Sequence, residues 1–303
     1  MSETYSHSRL SSFETCPRKF QYRYLWKLPA ESESIEAFVG KRVHEVLERL
    51  HRVVDRGRLP SLPRVIERYH QLFDDAYDSR VVRIVREGMT TDFYREVGEN
   101  CLANYYHDHY PFDGDETLAL EEHVRFSLDR EGRYRMQGFV DRIARAKDGA
   151  IEIQDYKTSA RVPSRTQIAE DRQLALYQIA IQQGKLGARF GADRPVRLVW
   201  HFLRQGKTLV STRAPVQLAR LAEQTQRLID RIRGATDFPA RPGPLCGWCE
   251  YRRGCDASAA FAGAPHAQPL AEMPAGAVAR ATKPPRSRRP AADRDQLAFR
   301  FGS

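Results

Sequence analysis

Apolar and polar residues alternate along two neighbouring stretches near the middle of the chain. One stretch covers residues 138–143, the other covers residues 151–158, and Lys147-Asp148-Gly149 lies between them. Alternation with a period of two is typical of β-strands, and a short segment containing glycine commonly joins the strands of a hairpin. The pattern therefore predicts a β-hairpin over about residues 134–158.

The turn allows two registers for this hairpin. A two-residue loop at Asp148-Gly149 would pair Asp141 with Tyr156, whereas a three-residue loop with Gly149 in the left-handed conformation pairs Asp141 with Asp155. A slip of one residue moves every side chain to the opposite face. We favour the three-residue loop because it gives one face that is apolar apart from three charged groups. That face carries Phe139, Asp141, Ile143, Ile151, Ile153, Asp155 and Lys157, and the opposite face carries Val140, Arg142, Ala144, Glu152, Gln154 and Tyr156.

The favoured register brings two carboxylates and a lysine together at the edge of a core. The Cβ atoms of Asp141 and Asp155 would then lie about 5 Å apart. Partly buried like charges at that distance repel unless a cation lies between them, and Mg²⁺ or Mn²⁺ suits carboxylate oxygens. Lys157 would assist the attacking water or balance charge in phosphodiester hydrolysis. A purely structural ion pair at a strand end is the alternative.

The remaining periodicity predicts an α/β fold with a mixed central sheet flanked by helices. We expect residues 35–112 to be mainly helical, residues 117–158 to form strands, and a helix, a strand and a further helix to follow at 166–187, 196–203 and 216–233. His44 lies within an amphipathic pattern, where a lone histidine usually packs in the core. Gln173 and Tyr177 are four residues apart and would share one helix face, following a possible Ser164–Gln167 capping box.

Glu122 interrupts an otherwise apolar alternation over residues 118–128. A carboxylate in an apolar phase has two interpretations. It is either an acid of the site that lies near Arg142, or a residue at a strand end.

Three cysteines, Cys246, Cys249 and Cys255, lie within ten residues of each other. Three thiolates so near to one another indicate a metal site. A metal site without an open coordination position needs a fourth ligand, for which Cys16 is the candidate. Zinc and an iron–sulfur cluster both suit four thiolates. We find no signal peptide or membrane-spanning apolar stretch, and we expect a cytoplasmic protein without disulfides. Cys101 has the surroundings of an ordinary thiol buried in a helix.

Several short motifs, in a fixed order, resemble the PD-(D/E)XK nuclease superfamily, and in particular its RecB-like branch, which includes CRISPR-associated nucleases. Each motif is weak alone, and their order over residues 5–256 makes the resemblance specific. The motifs are Tyr5-Ser6-His7-Ser8-Arg9-Leu10 with Cys16-Pro17-Arg18-Lys19-Phe20, Gly40-x3-His44-x2-Leu47-Glu48, Gly138-x2-Asp141-Arg142-Ile143, Asp155-Tyr156-Lys157-Thr158, Gln173-x3-Tyr177, and Cys246-x2-Cys249-x5-Cys255. Val140 stands where many members have proline before the first acid.

The resemblance implies roles for individual residues. His44, Asp141, Asp155 and the backbone carbonyl of Tyr156 would hold Mg²⁺ or Mn²⁺, and Lys157 would be catalytic. Gln173 and Tyr177 would support Lys157 or contact DNA. The four cysteines Cys16, Cys246, Cys249 and Cys255 would hold a [4Fe–4S] cluster that staples the N-terminal segment to the C-terminal end. The nuclease domain would then cover residues 1–262.

Residues 263–303 are rich in alanine, proline and arginine, which predicts a disordered basic tail. The tail ends in Gln296-Leu297-Ala298-Phe299-Arg300-Phe301, which loosely resembles peptides that bind sliding clamps. The net charge of +10 and the pI of about 9.5 favour a polyanionic partner. Gly206-Lys207-Thr208 is not the end of a P-loop, because His201 stands where the loop needs glycine. Any helicase activity would therefore come from a partner.

Together these features predict a metal-dependent DNA nuclease, most simply an exonuclease acting on single strands or DNA ends in repair, recombination or defence. Two alternatives stay open. One is a DNA-binding scaffold of the same fold without activity, and the other is a zinc-stapled RNA-processing nuclease.

Overall fold

A mixed sheet of six strands forms the centre of the protein, whose computed structural model describes residues 3–259. The strands are β1 (Thr4–Tyr5), β4 (Asp115–Ser127), β5 (Arg135–Ala146), β6 (Ile151–Lys157), β7 (Val196–Phe202) and β8 (Lys207–Ser211). The order is β1-β5-β6-β7-β8, and β4 pairs with β5 in addition. β6 and β7 run parallel, whereas β4–β5, β5–β6 and β7–β8 are antiparallel.

Helices cover both faces of the sheet. They are α1 (His7–Thr15), α2 (Pro17–Phe20), α3 (Ile35–Val54), α4 (Leu62–Ala76), α5 (Thr91–His109), α6 (Arg165–Ala169), α7 (Gln173–Ile181), α8 (Gly184–Phe190), α9 (Pro215–Arg233) and α10 (Asp256–Ala259). Two short strands, β2 (Glu33–Ser34) and β3 (Val82–Arg83), form a separate parallel pair. The predicted α/β class and the mainly helical part over residues 35–112 are confirmed.

Each face of the sheet has its own apolar core. The first core is formed by α1, α7 and α9 with residues such as Ile143, Ile153 and Trp200. The second core is formed by α3, α4 and α5 and includes Tyr156. Because β6 is covered on both sides, residues 151–156 are largely buried. Charged groups at the end of β6 therefore lie in a poorly solvated environment.

The hairpin adopts the predicted three-residue register. Arg142 pairs with Gln154 and Ile143 with Ile153, an alignment that brings Asp141 across from Asp155. Gly149 has a φ of +85°, and the Ala146 N–H donates to the Ala150 carbonyl across the turn. A residue with a Cβ is strained at that φ, which explains glycine at this position.

The predicted distribution of residues over the two faces is wrong in part. Phe139 is 56% exposed, whereas Val140 packs in the same core as Ile143. The alternation of β5 therefore changes phase between Val140 and Ile143. Asp141 lies at this change of phase, where the ribbon formed by β4 and β5 extends beyond the cover of β6.

The single helix predicted over residues 166–187 is also wrong, because α6, α7 and α8 replace it. The capping box is present: Ser164 Oγ accepts from the Gln167 N–H, and the Ser164 N–H donates to Gln167 Oε1. α7 begins afresh at Gln173, so this side chain lies at a helix start. Among residues 3–259, no helix combines the length and apolar composition needed to cross a bilayer.

The N-terminal segment is bound to the C-terminal part of the described chain. Lys19 Nζ lies 2.8 Å from Glu250 Oε2, Arg18 Nε donates to the Phe238 carbonyl over 3.1 Å, and the Tyr251 hydroxyl donates to the Leu28 carbonyl over 3.2 Å. These contacts join the two segments that carry Cys16 and the other three cysteines of the predicted cluster. The predicted tail, with its clamp-binding motif at residues 296–301, lies outside the described residues.

Candidate active site

The end of β6 carries an acid and a lysine that contact each other. Asp155 is almost fully buried, and its Oδ2 lies 2.6 Å from Lys157 Nζ. Burial raises the pKa of Asp155 despite the opposing effect of Lys157, and the charge of Asp141 raises it further. Burial disfavours the charged form of Lys157, but the neighbouring Asp155 outweighs it and raises the pKa of the ammonium group. The pair therefore keeps a half-buried ammonium group charged at the sheet edge.

Asp141 reaches the same strand end from β5. Its Oδ2 accepts a hydrogen bond from the Tyr156 N–H over 2.8 Å. That bond exists because β6 no longer uses this N–H to pair with the backbone of β5 beyond Gln154. Asp141 is thus fixed beside the backbone of Tyr156, where its other oxygen can bind a ligand.

His44 comes from α3 on the other side of the strand. Its Nε2 lies 2.8 Å from the Tyr156 carbonyl oxygen, and its Nδ1 lies 3.5 Å from Asp141 Oδ2. One turn earlier on α3, a Cβ on Gly40 would lie 3.2 Å from Thr158 Oγ1, so glycine permits this close approach. Burial opposes protonation of His44, but the charge of Asp141 raises its pKa to about 9.

Glu121 completes a group that the sequence pattern did not reveal. Ligand atoms of His44, Glu121 and Asp141 all lie within 4.8 Å of one another. Burial, with the nearby charge of Asp141, raises the pKa of Glu121 to about 7. A bound cation stabilises two carboxylates this close together. Within residues 3–259, this is the group of three ligand atoms at metal-binding distance, and it does not include Asp155.

The expectation that Glu122 lies near Arg142 or at a strand end is wrong. The pairing of β4 with β5 shifts between Thr117 and Ala119, so a β-bulge displaces the alternation by one residue. Glu121, with a φ of +47°, consequently reaches the site, and Glu122 instead forms an ion pair with Arg189 over 2.8 Å. A bulge inserts one residue and redirects the side chains that follow it.

Gln173 and Tyr177 extend from α7 toward the site. Gln173 Oε1 accepts a hydrogen bond from Lys157 Nζ over 3.0 Å. Tyr177 lies against Gly138, where an added Cβ would come within 2.4 Å of the tyrosine ring. Burial raises the pKa of Tyr177 to about 12, so its hydroxyl stays protonated. The structure thus places both predicted residues next to the acid–lysine cluster.

A network of buried polar side chains lies around the side chain of Tyr156. Arg142 is 2% exposed, yet its guanidinium binds Asp115, Thr117 and Gln154. The Tyr105 hydroxyl lies 3.3 Å from that of Tyr156 and 2.7 Å from His51 Nε2. A buried charge with satisfied partners is rigid, because breaking any one contact leaves an unpaired group. Arg142 therefore fixes the strand rather than contacting Glu122.

The four cysteines of the predicted cluster are free thiols of intermediate exposure. Burial, with the neighbouring thiol of Cys255, raises the pKa of Cys249 to about 11, and burial together with Cys16 raises the pKa of Cys255. The Arg241 N–H points to Cys16 Sγ at 3.5 Å. Thiols from both ends of the described chain thus converge. Cys101 is fully buried in α5, as predicted.

This chain is similar to several known proteins. A family model described as the PD-(D/E)XK nuclease superfamily matches residues 4–256. One subunit of the ATP-dependent helicase/deoxyribonuclease of Streptococcus uberis is 29% identical over 168 residues, which are 52% of this chain and 14% of that relative. A crystal structure of a protein assigned as an exonuclease, from Eubacterium rectale, aligns over 91% of this chain and 94% of its own with 13% identity and a TM-score of 0.46. Since the family model spans most of the chain, including His44, Asp141 and the Asp155–Lys157 strand end, the protein belongs to the PD-(D/E)XK nuclease superfamily.

Proposed function

We propose that this protein is a deoxyribonuclease that hydrolyses phosphodiester bonds with a divalent metal ion. The observation that carries the proposal is the convergence of His44, Glu121 and Asp141 beside the Asp155–Lys157 pair. Family membership supports the reaction class. The relative from Streptococcus uberis is named as part of a deoxyribonuclease, which supports DNA as the substrate.

The donor set suits Mg²⁺ or Mn²⁺. Carboxylate and carbonyl oxygens are the ligands that these two ions prefer. The single imidazole of the set favours Mn²⁺ over Mg²⁺. The 2.8 Å between His44 Nε2 and the Tyr156 carbonyl oxygen is close to the separation of about 3 Å between neighbouring ligands with bonds of about 2.1 Å. We assign His44, Asp141, Asp155 and the Tyr156 carbonyl as ligands and add Glu121. A bound ion would polarise the phosphate and acidify a water.

Other side chains of the site would have further roles in the reaction. Lys157 offers a charged ammonium beside the ligands, where it would stabilise negative charge on the phosphate or orient the attacking water. Gln173 holds that ammonium in place through its Oε1. Tyr177 closes the same side, and its protonated hydroxyl is available as a hydrogen-bond donor.

We propose single strands or DNA ends as the substrate and a helicase as a partner. The relative's name pairs a helicase with a deoxyribonuclease. In this chain His201 stands where a P-loop would need its first glycine, so a helicase would have to be a separate protein. The net charge of +10 supports a polyanionic substrate. The process would be DNA repair, recombination or defence, in the cytoplasm.

We further propose that Cys16, Cys246, Cys249 and Cys255 hold a [4Fe–4S] cluster. Three thiols from the C-terminal segment and one from the N-terminal segment supply the four thiolates that such a cluster needs. Tetrahedral zinc with four thiolate ligands is the alternative. The cluster would reinforce the contacts that already join the two segments.

Cleavage of labelled DNA by the anaerobically purified full chain tests the nuclease proposal. Single-stranded, blunt duplex and end-blocked circular DNA are incubated with Mg²⁺, Mn²⁺ or EDTA, with RNA in parallel. We expect metal-dependent loss of DNA with free ends, abolished by Asp141→Asn and Lys157→Ala. Lys147→Ala, which removes an exposed lysine of the hairpin turn, is the matched control. Binding without cleavage would favour the scaffold, and cleavage of RNA alone would favour the RNA-processing alternative.

A further inference from the structure

The ribbon of β4 and β5 carries a stacked aromatic pair, one ring of which is exposed, beside the metal-ligand group. The rings of His123 and Phe139 stack with centroids 4.5 Å apart and an interplanar angle of 12°. Phe139 is 56% exposed, which is unusual for an aromatic ring on a strand whose other face packs in the core. The exposed ring offers an apolar π surface at the edge of the site.

The strand register places this pair next to the proposed metal ligands. His123 opposes Phe139, and Glu122 opposes Val140, so Glu121 and Asp141 follow directly along the same ribbon. Two residues at about 3.3 Å each separate the aromatic pair from the carboxylates by about 7 Å. The inner face of the ribbon, with Val124, Met136 and Val140, packs in the first core. The stacked rings are therefore held on a rigid support.

An arginine continues the same face. Arg125 lies two residues beyond His123 and opposes Gln137, whose Oε1 is 3.4 Å from His123 Nε2. Arg125 is exposed, and no ion pair or hydrogen bond joins its side chain to another residue between 3 and 259. Aromatic faces that bind bases, beside cations that bind phosphates, are the features that bind single-stranded nucleic acid.

We propose that the His123–Phe139 pair is a stacking platform for an unpaired nucleobase of a DNA strand that enters the metal site, with Arg125 binding a phosphate of that strand. This inference rests on the proposed nuclease function and identifies how the site selects its substrate. A base within a duplex has both faces covered by its neighbours, so the platform accepts bases only from single strands or frayed ends.

Binding in EDTA tests the platform without requiring catalysis. The affinity of the full chain for a short single-stranded oligonucleotide and for a blunt duplex is measured by fluorescence anisotropy. We expect Phe139→Ala to weaken single-strand binding roughly tenfold, as the loss of one stacked base does, and to leave duplex binding unchanged. Phe139→Trp retains binding. Tyr110→Ala, which removes a ring that is 58% exposed elsewhere, is the matched control.

Abasic oligonucleotides locate the stacked base. When the abasic position is moved along the strand, one position is expected to abolish the difference between wild type and Phe139→Ala. Arg125→Ala is expected to reduce the slope of log affinity against log salt by about 0.7, the value for one phosphate of a single strand. Equal affinities of Phe139→Ala and Tyr110→Ala, or equal weakening on the duplex, would overturn the platform.

The two proposals fail separately. If wild type cleaves single strands with metal but Phe139→Ala binds them normally, the nuclease stands and the platform is wrong. If no metal-dependent cleavage occurs but the Phe139 dependence of single-strand binding is observed, the platform stands on an inactive scaffold. Circular dichroism of Phe139→Ala excludes misfolding as the cause of weaker binding.

Discussion

Glu121 lies across the ribbon from Asp141, and their carboxylates come within 4.8 Å of each other and of His44. Two acids at this distance in a partly buried site destabilise the metal-free protein, which the raised pKa of Glu121 reflects. Such repulsion is retained where a cation offsets it. The pair is therefore the strongest structural argument for a metal at this edge of the sheet.

Replacing Glu121 separates its role from that of its neighbour. We expect Glu121→Gln to weaken Mn²⁺ binding at least tenfold and to reduce cleavage, because a carboxylate ligand is lost. Glu122→Gln changes charge equally but removes only the ion pair with Arg189. Calorimetric titration of the DNA-free proteins with Mn²⁺ measures both. Equal affinities of the two variants would exclude Glu121 from the metal site.

Gln173 positions Lys157, and its removal is expected to affect the chemical step. The Gln173→Ala variant loses the acceptor that holds Lys157 Nζ at 3.0 Å. We expect kcat to fall roughly tenfold with little change in KM, since the ammonium loses its orientation rather than its charge. Gln183→Ala, an exposed glutamine before α8, is the control. A rise in KM with unchanged kcat would instead indicate a contact with substrate.

Gly138 is expected to tolerate no side chain. An added Cβ would lie 2.4 Å from the Tyr177 ring, so α7 or the ring must move. We expect Gly138→Ala to cost about 1–3 kcal/mol of unfolding free energy and to lower activity, as overpacking does. Gly114→Ala meets no atom within 4 Å and serves as the control. Urea unfolding of both variants measures the difference, and equal stabilities would contradict it.

The cysteine proposal predicts a selective loss of iron. We expect Cys16→Ser to remove visible absorption and bound iron from the anaerobic protein, although Cys16 lies far in sequence from the other ligands. Cys101→Ser leaves the iron content unchanged because Cys101 is buried in the core of α5. Elemental analysis of both variants distinguishes iron from zinc. Full iron content in Cys16→Ser would show that the fourth ligand lies elsewhere.

The sequence was informative where local rules act and less so where the backbone departs from them. Gly149 indicated the hairpin turn because few other residues accept its φ. Side-chain alternation selected the register, and periodicity identified α3 and α9. The sequence pattern did not identify Glu121 as a site residue, because the bulge between Thr117 and Ala119 depends on pairing with another strand. The exposure of Phe139 likewise depends on where β6 stops covering β5. Strand alternation alone carries no signal for either feature.

His201, which pairs with Tyr156 in the sheet, is expected to make stability depend on pH. Its ring is 4% exposed and contacts Gln154 and Thr208. Burial, with smaller effects of His109 and Arg142, lowers its pKa to about 3, well below the ordinary value. Below about pH 6.5, His201 therefore binds a proton in the unfolded chain but not in the folded protein. The free energy of unfolding consequently decreases as the pH falls.

The His201→Gln variant keeps a hydrogen-bonding side chain that does not titrate. Between about pH 6 and pH 4 we expect its unfolding free energy to fall less steeply than that of wild type, by about 1.4 kcal/mol per pH unit, which corresponds to one proton. His51 and His109, whose pKa values are also lowered mainly by burial, keep contributing in both proteins. His107→Gln, at an exposed position of α5, is the control. Urea unfolding at each pH gives the slopes, and coincident slopes for wild type and His201→Gln would mean that His201 is protonated in the folded protein.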